Sequence, residues 1–370
     1  MKIIFICGSL EPGRDGVGDY TRKLASEIIR EGHKAAIVSL AEENKLDLFE
    51  GVQHCEEIKI PVLRSAVISH KNYVQEVKTW IDEFNPGWIS LQFVPFSFHQ
   101  KGLVFRLHKL LLDIGNGRKW HIMVHELWVG MHKSPTKKTI AWGWVQKQLI
   151  KYFFRQINPA IIHTHTQLYL LQLKKIGFNA FHLPLFGNIS MSTKIEKAIN
   201  SQNKKDMGIV LFGGIHPGAP IDQFAKDAAL YSRKKKIPVS LTLVGRCGSE
   251  QERWASTWTN EGLNIKIMGE QSAESVSEIL RCNDLGISTT PIALIEKSGS
   301  VAAMREHGLP VLCLANFWKP GELNEFNHPE GVAQYVPGMP NVFEKLPNRF
   351  QAQTNASNIA LQFINALSAG

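Results

Sequence analysis

Ten short apolar runs recur along the chain in two groups of five, each followed by a polar turn or a helical stretch, and no other feature constrains the fold as tightly. The first group is Ile3–Ile6, Ala35–Ser39, Trp88–Phe93, His121–Val124 and Ala160–His163; the second is Gly208–Phe212, Ser240–Val244, Ile265–Met268, Leu285–Ser288 and Pro310–Leu314. Runs this short and this uniformly apolar suit strands covered on both faces by helices, as in a buried parallel sheet. The N-terminal segment shows the repeating βαβ unit in full: a strand, a glycine-rich loop from Cys7 to Gly18, a helix from Asp19 to Arg30 and a second strand. In that helix Asp19 is the expected N-cap, Tyr20, Leu24 and Ile28 form the buried stripe, and Gly32 is the stop signal.

Two such groups in 370 residues predict two α/β domains. Residues 190–206, SMSTKIEKAINSQNKKD, are polar and poor in bulky apolar side chains, the composition of a linker. The expected organisation is a Rossmann-like domain over 1–190, a linker over 191–206, a second Rossmann-like domain over 207–350, and a C-terminal helix within 351–370. That helix carries Ile359, Phe363 and Leu367 at four-residue spacing and is expected to pack back toward the first domain. The Pro- and Gly-rich stretch from Trp318 to Pro347 reads as irregular.

Composition narrows the function classes. With 44% hydrophobic and 20% charged residues, extended disorder is excluded. Five cysteines without CxxC spacing indicate neither a disulfide framework nor a zinc cluster and fit a reducing compartment. No apolar run approaches the roughly 18 residues of a membrane span, and Met1-Lys2 leads straight into a strand. The expectation is a cytoplasmic protein, with peripheral attachment at the inner face of the membrane left open. A net charge of +9 favours phosphate-bearing partners: nucleotides, nucleic acids or anionic lipids. A nucleic-acid binder is disfavoured because the basic residues are scattered among helices and join no known motif. A nicotinamide dehydrogenase is disfavoured because the first loop lacks G-x-G-x-x-G and no acidic residue ends the second strand.

Ligands of doubly wound sheets sit at the carboxyl ends of the strands, so residues just past a strand are the candidates. Lys297-Ser298-Gly299-Ser300 opens a helix running toward His307, and its N-terminal N–H groups with the Lys297 charge suit a diphosphate. Arg246 in Gly245-Arg246-Cys247-Gly248, and Gly214 beside His216, also follow strands; each reads equally as an ordinary turn residue. Gly16-Val17-Gly18 opens the first helix as a phosphate-cradling or sugar-facing loop would. His125, with Glu126, follows the strand at 121–124 and is placed to orient hydroxyls or accept a proton, or to bond backbone. No Asp-x-Asp pair or HExxH is present, and His163-Thr164-His165 lacks a third ligand at metal spacing, so no metal is expected.

The segment GVGDYTRKLASEIIREGHKAAIVS, Gly16 to Ser39, resembles the opening of retaining glycosyltransferases of family 4, down to the Gly32-His33 pair after the helix. The resemblance continues through His125-Glu126, through Leu183-Pro184-Leu185-Phe186-Gly187-Asn188, and through Met268-Gly269-Glu270 with the following SAESVSEILRCNDLGISTTP, ending in GLPVL at Gly308 to Leu312. It implies the glycosyltransferase type B fold, two Rossmann-like domains facing a cleft. It also implies transfer from a nucleotide-diphosphate sugar to a glycan, lipid-linked or small-molecule acceptor with retention, and no cofactor beyond that donor substrate. Glu296 matches the first of the family's two glutamates and, with His125, is implied as a catalytic residue. The second glutamate position falls near Ala303, and the family's arginine and lysine after the first strand of the second domain are missing from Phe212 to Gly218. A catalytically silent relative that binds a glycan or protein partner is the competing reading.

Residues 136–157 mix Lys137, Lys138, Lys147, Lys151 and Arg155 with Trp142, Trp144, Tyr152, Phe153 and Phe154. That mixture suits a helix lying on an anionic membrane surface. It equally suits a packed helix with aromatics inward and lysines outward.

Overall fold

The structure is a computed structural model and describes residues 1–42, 48–68, 73–191, 206–316, 318–321, 328–344, 349 and 354–370. The expected linker at 191–206 therefore lies, apart from Met191 and Asp206, outside the described residues. The chain divides into two units, Met1–Pro184 with Ala356–Gly370, and Leu185–Asn355.

The first unit contains β1 (Lys2–Cys7), α1 (Gly16–Arg30), β2 (Lys34–Ser39), β3 (Phe49–Cys55), β4 (Ile58–Arg64), α2 (Val74–Phe84) and β5 (Trp88–Phe93). It continues through α3 (Pro95–Phe98), α4 (Leu107–Gly115), β6 (Lys119–Val124), α5 (Lys137–Ile157), β7 (Ile161–Thr164), α6 (Gln167–Lys175) and β8 (Phe181–His182). Its sheet runs β3-β4-β2-β1-β5-β6-β7-β8, parallel except for the β3–β4 hairpin. Strand order reverses direction between β1 and β5, which makes the loops after these strands the topological switch point. The hairpin was not signalled by apolar runs: β3 alternates between exposed and half-buried residues, the pattern of an edge strand.

The second unit contains β9 (Met207–Phe212), α7 (Ile221–Lys235), β10 (Val239–Val244), α8 (Gln251–Asn260), β11 (Asn264–Gly269), α9 (Ala273–Cys282), β12 (Leu285–Ser288), α10 (Gly299–Glu306), β13 (Val311–Cys313) and β14 (Val332–Gln334). All six strands are parallel, in the order β11-β10-β9-β12-β13-β14. The stretch expected to be irregular, 318–347, thus supplies an edge strand, whose three residues are too short and too exposed to stand out as an apolar run.

The chain ends in α11 (Ala356–Ala369), which belongs to the first unit. Its Phe363 is fully buried, stacked on Phe5 at 5.8 Å between ring centroids and edge-on to His121 at 4.9 Å. Ser357 donates to the Glu27 carboxylate of α1 at 2.8 Å. Among the described residues no helix is long and apolar enough to cross a membrane.

Candidate functional site

In the second unit, parallel pairing aligns the carboxyl ends of β9, β10 and β12, and the loops that follow are knitted together. Gly213 donates its N–H to the Val244 carbonyl at 2.9 Å, and Ile215 donates to the Cys247 carbonyl at 3.0 Å. Gly213 and Gly245 both have φ of 91°, a conformation only glycine adopts without strain, and a Cβ on Gly245 would lie 3.5 Å from the Gly213 Cα. Thr289, just past β12, accepts from the His216 backbone N–H at 2.9 Å and lies 3.0 Å from its ring Nδ1. A Cβ on Gly213 would meet the Ser300 Cβ at 3.8 Å, so this loop borders the first turn of α10. Ser298 caps α10: its Oγ accepts from the Val301 N–H at 3.4 Å and lies 3.1 Å from the Ser300 Oγ. Gly299 and Ser300 begin the helix, where N–H groups have no carbonyl partner within it.

Lys297 ends a short 3₁₀ segment, Ile292–Lys297, that also carries Glu296, and both are half-buried. Arg246 pairs with Glu270 at 2.6 Å on the exposed surface. An exposed pair of this kind is worth roughly 0–1 kcal/mol. Gly214 stays exposed at the head of the loop. The position near which the resemblance puts a second glutamate is closely packed. Ala303 is fully buried, and a Cβ on Gly187 would lie 2.7 Å from the Ala303 Cα, so the chain before β9 rests directly on α10 there. Met304 is fully buried too, and Glu306 instead accepts the Gly187 N–H at 2.8 Å.

The first unit holds a cavity of about 530 Å³ at its switch point, lined among others by Gly8, Glu11, Arg14, Glu42, Arg64 and Phe96. Glu42 and Arg64, both buried, form its wall as a two-bond ion pair with both distances at 2.9 Å. The Glu42 carboxylate also accepts from Ser9 Oγ, Ser39 Oγ and the Leu10 N–H at 3.0, 2.6 and 2.9 Å, while Arg64 reaches Glu11 at 2.7 Å. Burial alone would raise the Glu42 pKa, but Arg64, Ser39 and Leu10 together hold it below the usual carboxylate range. Neither residue was singled out from sequence. They meet because β2 and β4 are paired with Ser39 opposite Arg64, a register no local pattern announces.

Gly16, Val17 and Gly18 form the first turn of α1, and Gly16 lines this cavity. The N-cap is Asp15, not Asp19: its carboxylate accepts from Val17 N–H at 2.8 Å and Gly18 N–H at 3.1 Å. Those two N–H groups are therefore already engaged by a protein carboxylate and do not offer an open phosphate cradle. Asp19 points elsewhere, pairing with Arg22 and accepting the Gly13 N–H at 3.1 Å.

His125 is buried and belongs to a hydrogen-bonded chain across β5, β6 and β7. Its Nε2 lies 2.9 Å from Gln92 Oε1 and its Nδ1 3.2 Å from His165 Nε2. His165 Nδ1 donates to the Leu183 carbonyl at 2.8 Å. The Gln92 amide oxygen accepts, so the His125 Nε2–H donates to it. The chain continues through Ser90 to His121 and from His121 to His163, at 2.8 and 3.0 Å. Burial pushes His163 down to about 4 and His165 to about 3, while burial and the neighbouring His163 push His121 well below its ordinary value. His163 and His165 thus serve different links of a buried polar chain. His125 lies in the first unit and Glu296 in the second.

No family model and no curated protein matches the sequence. Solved structures do. Anabaena HepE in complex with UDP and glucose is 18% identical, covers 100% of both chains and has a TM-score of 0.61. UDP-GlcNAc 2-epimerase from Neisseria meningitidis bound to UDP-GlcNAc is 10% identical over 100% of both chains, with a TM-score of 0.55. An alpha,alpha-trehalose-phosphate synthase (UDP-forming) from Burkholderia vietnamiensis is 10% identical over 100% of this chain and 98% of that one, with a TM-score of 0.57. Identities this low carry the fold rather than the chemistry. In fold, the chain is an α/β protein of two Rossmann-like parallel-sheet units, similar to glycosyltransferases of type B.

Proposed function

We propose that the protein is a glycosyltransferase that takes a sugar from a UDP-sugar and passes it to an acceptor hydroxyl with retention, as the resemblance to family 4 implies. The observation that carries this reading is the meeting of the glycine loops after β9 and β10 with the capped N-terminus of α10. Negative charge grows on the leaving diphosphate as the glycosidic bond breaks, so the demand on the protein is a preorganised set of donors and positive charge there. In this reading the N–H groups of Gly299 and Ser300, the hydroxyls of Ser298 and Ser300, and Lys297 meet the diphosphate. Gly214 lets the backbone approach, Arg246 leaves Glu270 for it, and Glu296 faces the donor sugar. UDP supplies the nucleotide because the solved structures of like fold include UDP and UDP-sugar complexes.

The acceptor is assigned to the first unit, at the cavity bordered by Gly16, Arg64 and Glu42. The Asp15 cap makes the first turn of α1 a wall of that cavity rather than a donor-phosphate cradle. His125 acts on the acceptor side through Nε2, by releasing Gln92. Front-face attack with retention leaves the acceptor proton to the departing phosphate, so the reading needs neither a protein nucleophile nor a metal.

Titration calorimetry with UDP, followed by incubation with UDP-glucose and UDP-GlcNAc, tests the proposal. Micromolar UDP binding and UDP release that rises with added acceptor are expected. Absence of UDP binding overturns the donor assignment. Interconversion of the UDP-sugar without UDP release replaces transfer by epimerisation, and UDP binding without turnover of any donor leaves the silent relative.

A further inference from the structure

We propose that the outward face of α5 docks the protein onto an anionic lipid bilayer. Residues 127–195 contain no Asp or Glu, and within them Lys133, Lys137, Lys138, Lys147, Lys151 and Arg155 cluster on or just before α5. The helix turns Ile150, Phe153, Phe154 and Ile157 into the unit. This leaves Trp144 62%, Ile140 52% and Tyr152 51% exposed on the other side. An outward helix face of a doubly wound domain is ordinarily polar. At 3.6 residues per turn, Lys137, Ile140, Trp144, Lys151 and Arg155 project within about 60° of one another, so cations and large apolar side chains share one stripe.

Two loops are fixed against the helix by the buried Gln146. Its Nε2 donates to the Lys101 carbonyl at 3.0 Å and its Oε1 accepts the Val129 N–H at 2.9 Å. The first loop carries Phe105, itself 59% exposed, and the second carries exposed Lys133. The chemistry fits a headgroup layer: tryptophan and tyrosine sit at the interface, isoleucine enters the acyl boundary, and lysines meet lipid phosphates. Nucleic acid would use the cations but leave Ile140 and the exposed aliphatic surface without a partner. The helix carries charges along its length and so lies on the bilayer rather than crossing it.

The test is co-sedimentation of the full chain with vesicles of phosphatidylcholine alone and of phosphatidylcholine mixed with phosphatidylglycerol, at low and high salt. Binding to the mixed vesicles only, weakened several-fold or more by salt, is expected because exposed charges are screened. Paired Ile140→Ser and Trp144→Ser should lower binding at least about ten-fold, and so should paired Lys137→Glu and Lys138→Glu. All four positions are exposed, so melting temperature and UDP affinity should be unchanged, which keeps this test apart from the donor reading. Equal binding to both vesicle types, absence of vesicle binding, or wild-type binding by either variant overturns the proposal. So does a duplex DNA that the wild type binds and the lysine variant does not, with vesicles left unbound.

Discussion

Lys297 and Glu42 are charged side chains with different parts, one proposed to meet a ligand and one completing a wall. Lys297 stands immediately before the Ser298 cap, where a diphosphate would meet it together with the first N–H groups of α10. Lys297→Ala should weaken UDP binding by about 1–3 kcal/mol, the worth of a charge-assisted hydrogen bond. Equal affinity of wild type and variant by calorimetry would remove Lys297 from the donor site. Glu42 is buried with Arg64, and its carboxylate accepts five hydrogen bonds from Ser9, Leu10, Ser39 and, twice, Arg64. Glu42→Gln leaves the Arg64 charge buried with, among the described residues, Glu11 to balance it, and a broken buried pair typically costs about 3–5 kcal/mol. A urea midpoint within error of the wild type would show that Arg64 escapes to water instead. Both residues also mark the limit of reading a site from sequence. Lys297 is visible because strand, serine and glycine lie in one local run, whereas Glu42 and Arg64 are 22 positions apart and meet only through β2–β4 register.

At the scale of elements, the imidazoles along β6 and β7 bind the sheet to a pH range. His163 titrates near 4 and His165 near 3 in the folded protein, because burial disfavours the charged ring, against about 6.5 when unfolded. Above 6.5 both rings are neutral in both states and the stability is fully present. As pH falls from 6.5 toward 4 the unfolded chain takes up protons that the folded one refuses, so each ring should remove about 1.4 kcal/mol per pH unit. Urea titrations at pH 7 and pH 5 should therefore show a marked loss for the wild type and a smaller one for His165→Asn. Identical pH dependence in the two proteins would place protonation elsewhere. The strands that carry these histidines were legible as apolar runs, because helices cover both faces of a parallel sheet. The β3–β4 hairpin and β14 were not, since edge strands bury too little to need such runs. Helix α5 was legible as a helix, but which of its aromatics face outward depends on the packing of Ile150, Phe153 and Phe154, which composition does not encode.

For the whole molecule, the chain visits the first unit, builds the second, and returns, so the last fourteen-residue helix completes a core begun by the first strand. Phe363 is the hinge of that completion: it contacts Phe5 of β1, His121 of β6 and His163 of β7. Two apolar cores of the second unit draw on residues between Ile189 and Phe343 and include nothing from α11. Removing the ring should therefore act on one unit. Phe363→Ala should destabilise the first unit by about 3–5 kcal/mol, the usual cost of a buried phenylalanine truncation. The UDP affinity of the second unit should stay within two-fold or so, a difference of about 0.4 kcal/mol. Calorimetric unfolding is expected to resolve two transitions, the lower one shifted in the variant. UDP at about a hundred times its dissociation constant should raise only the other, by about 2.7 kcal/mol. Joint movement of both transitions, or a fall in UDP affinity that tracks the loss of stability, would show that the two units fold as one and that the nucleotide site depends on the returning helix.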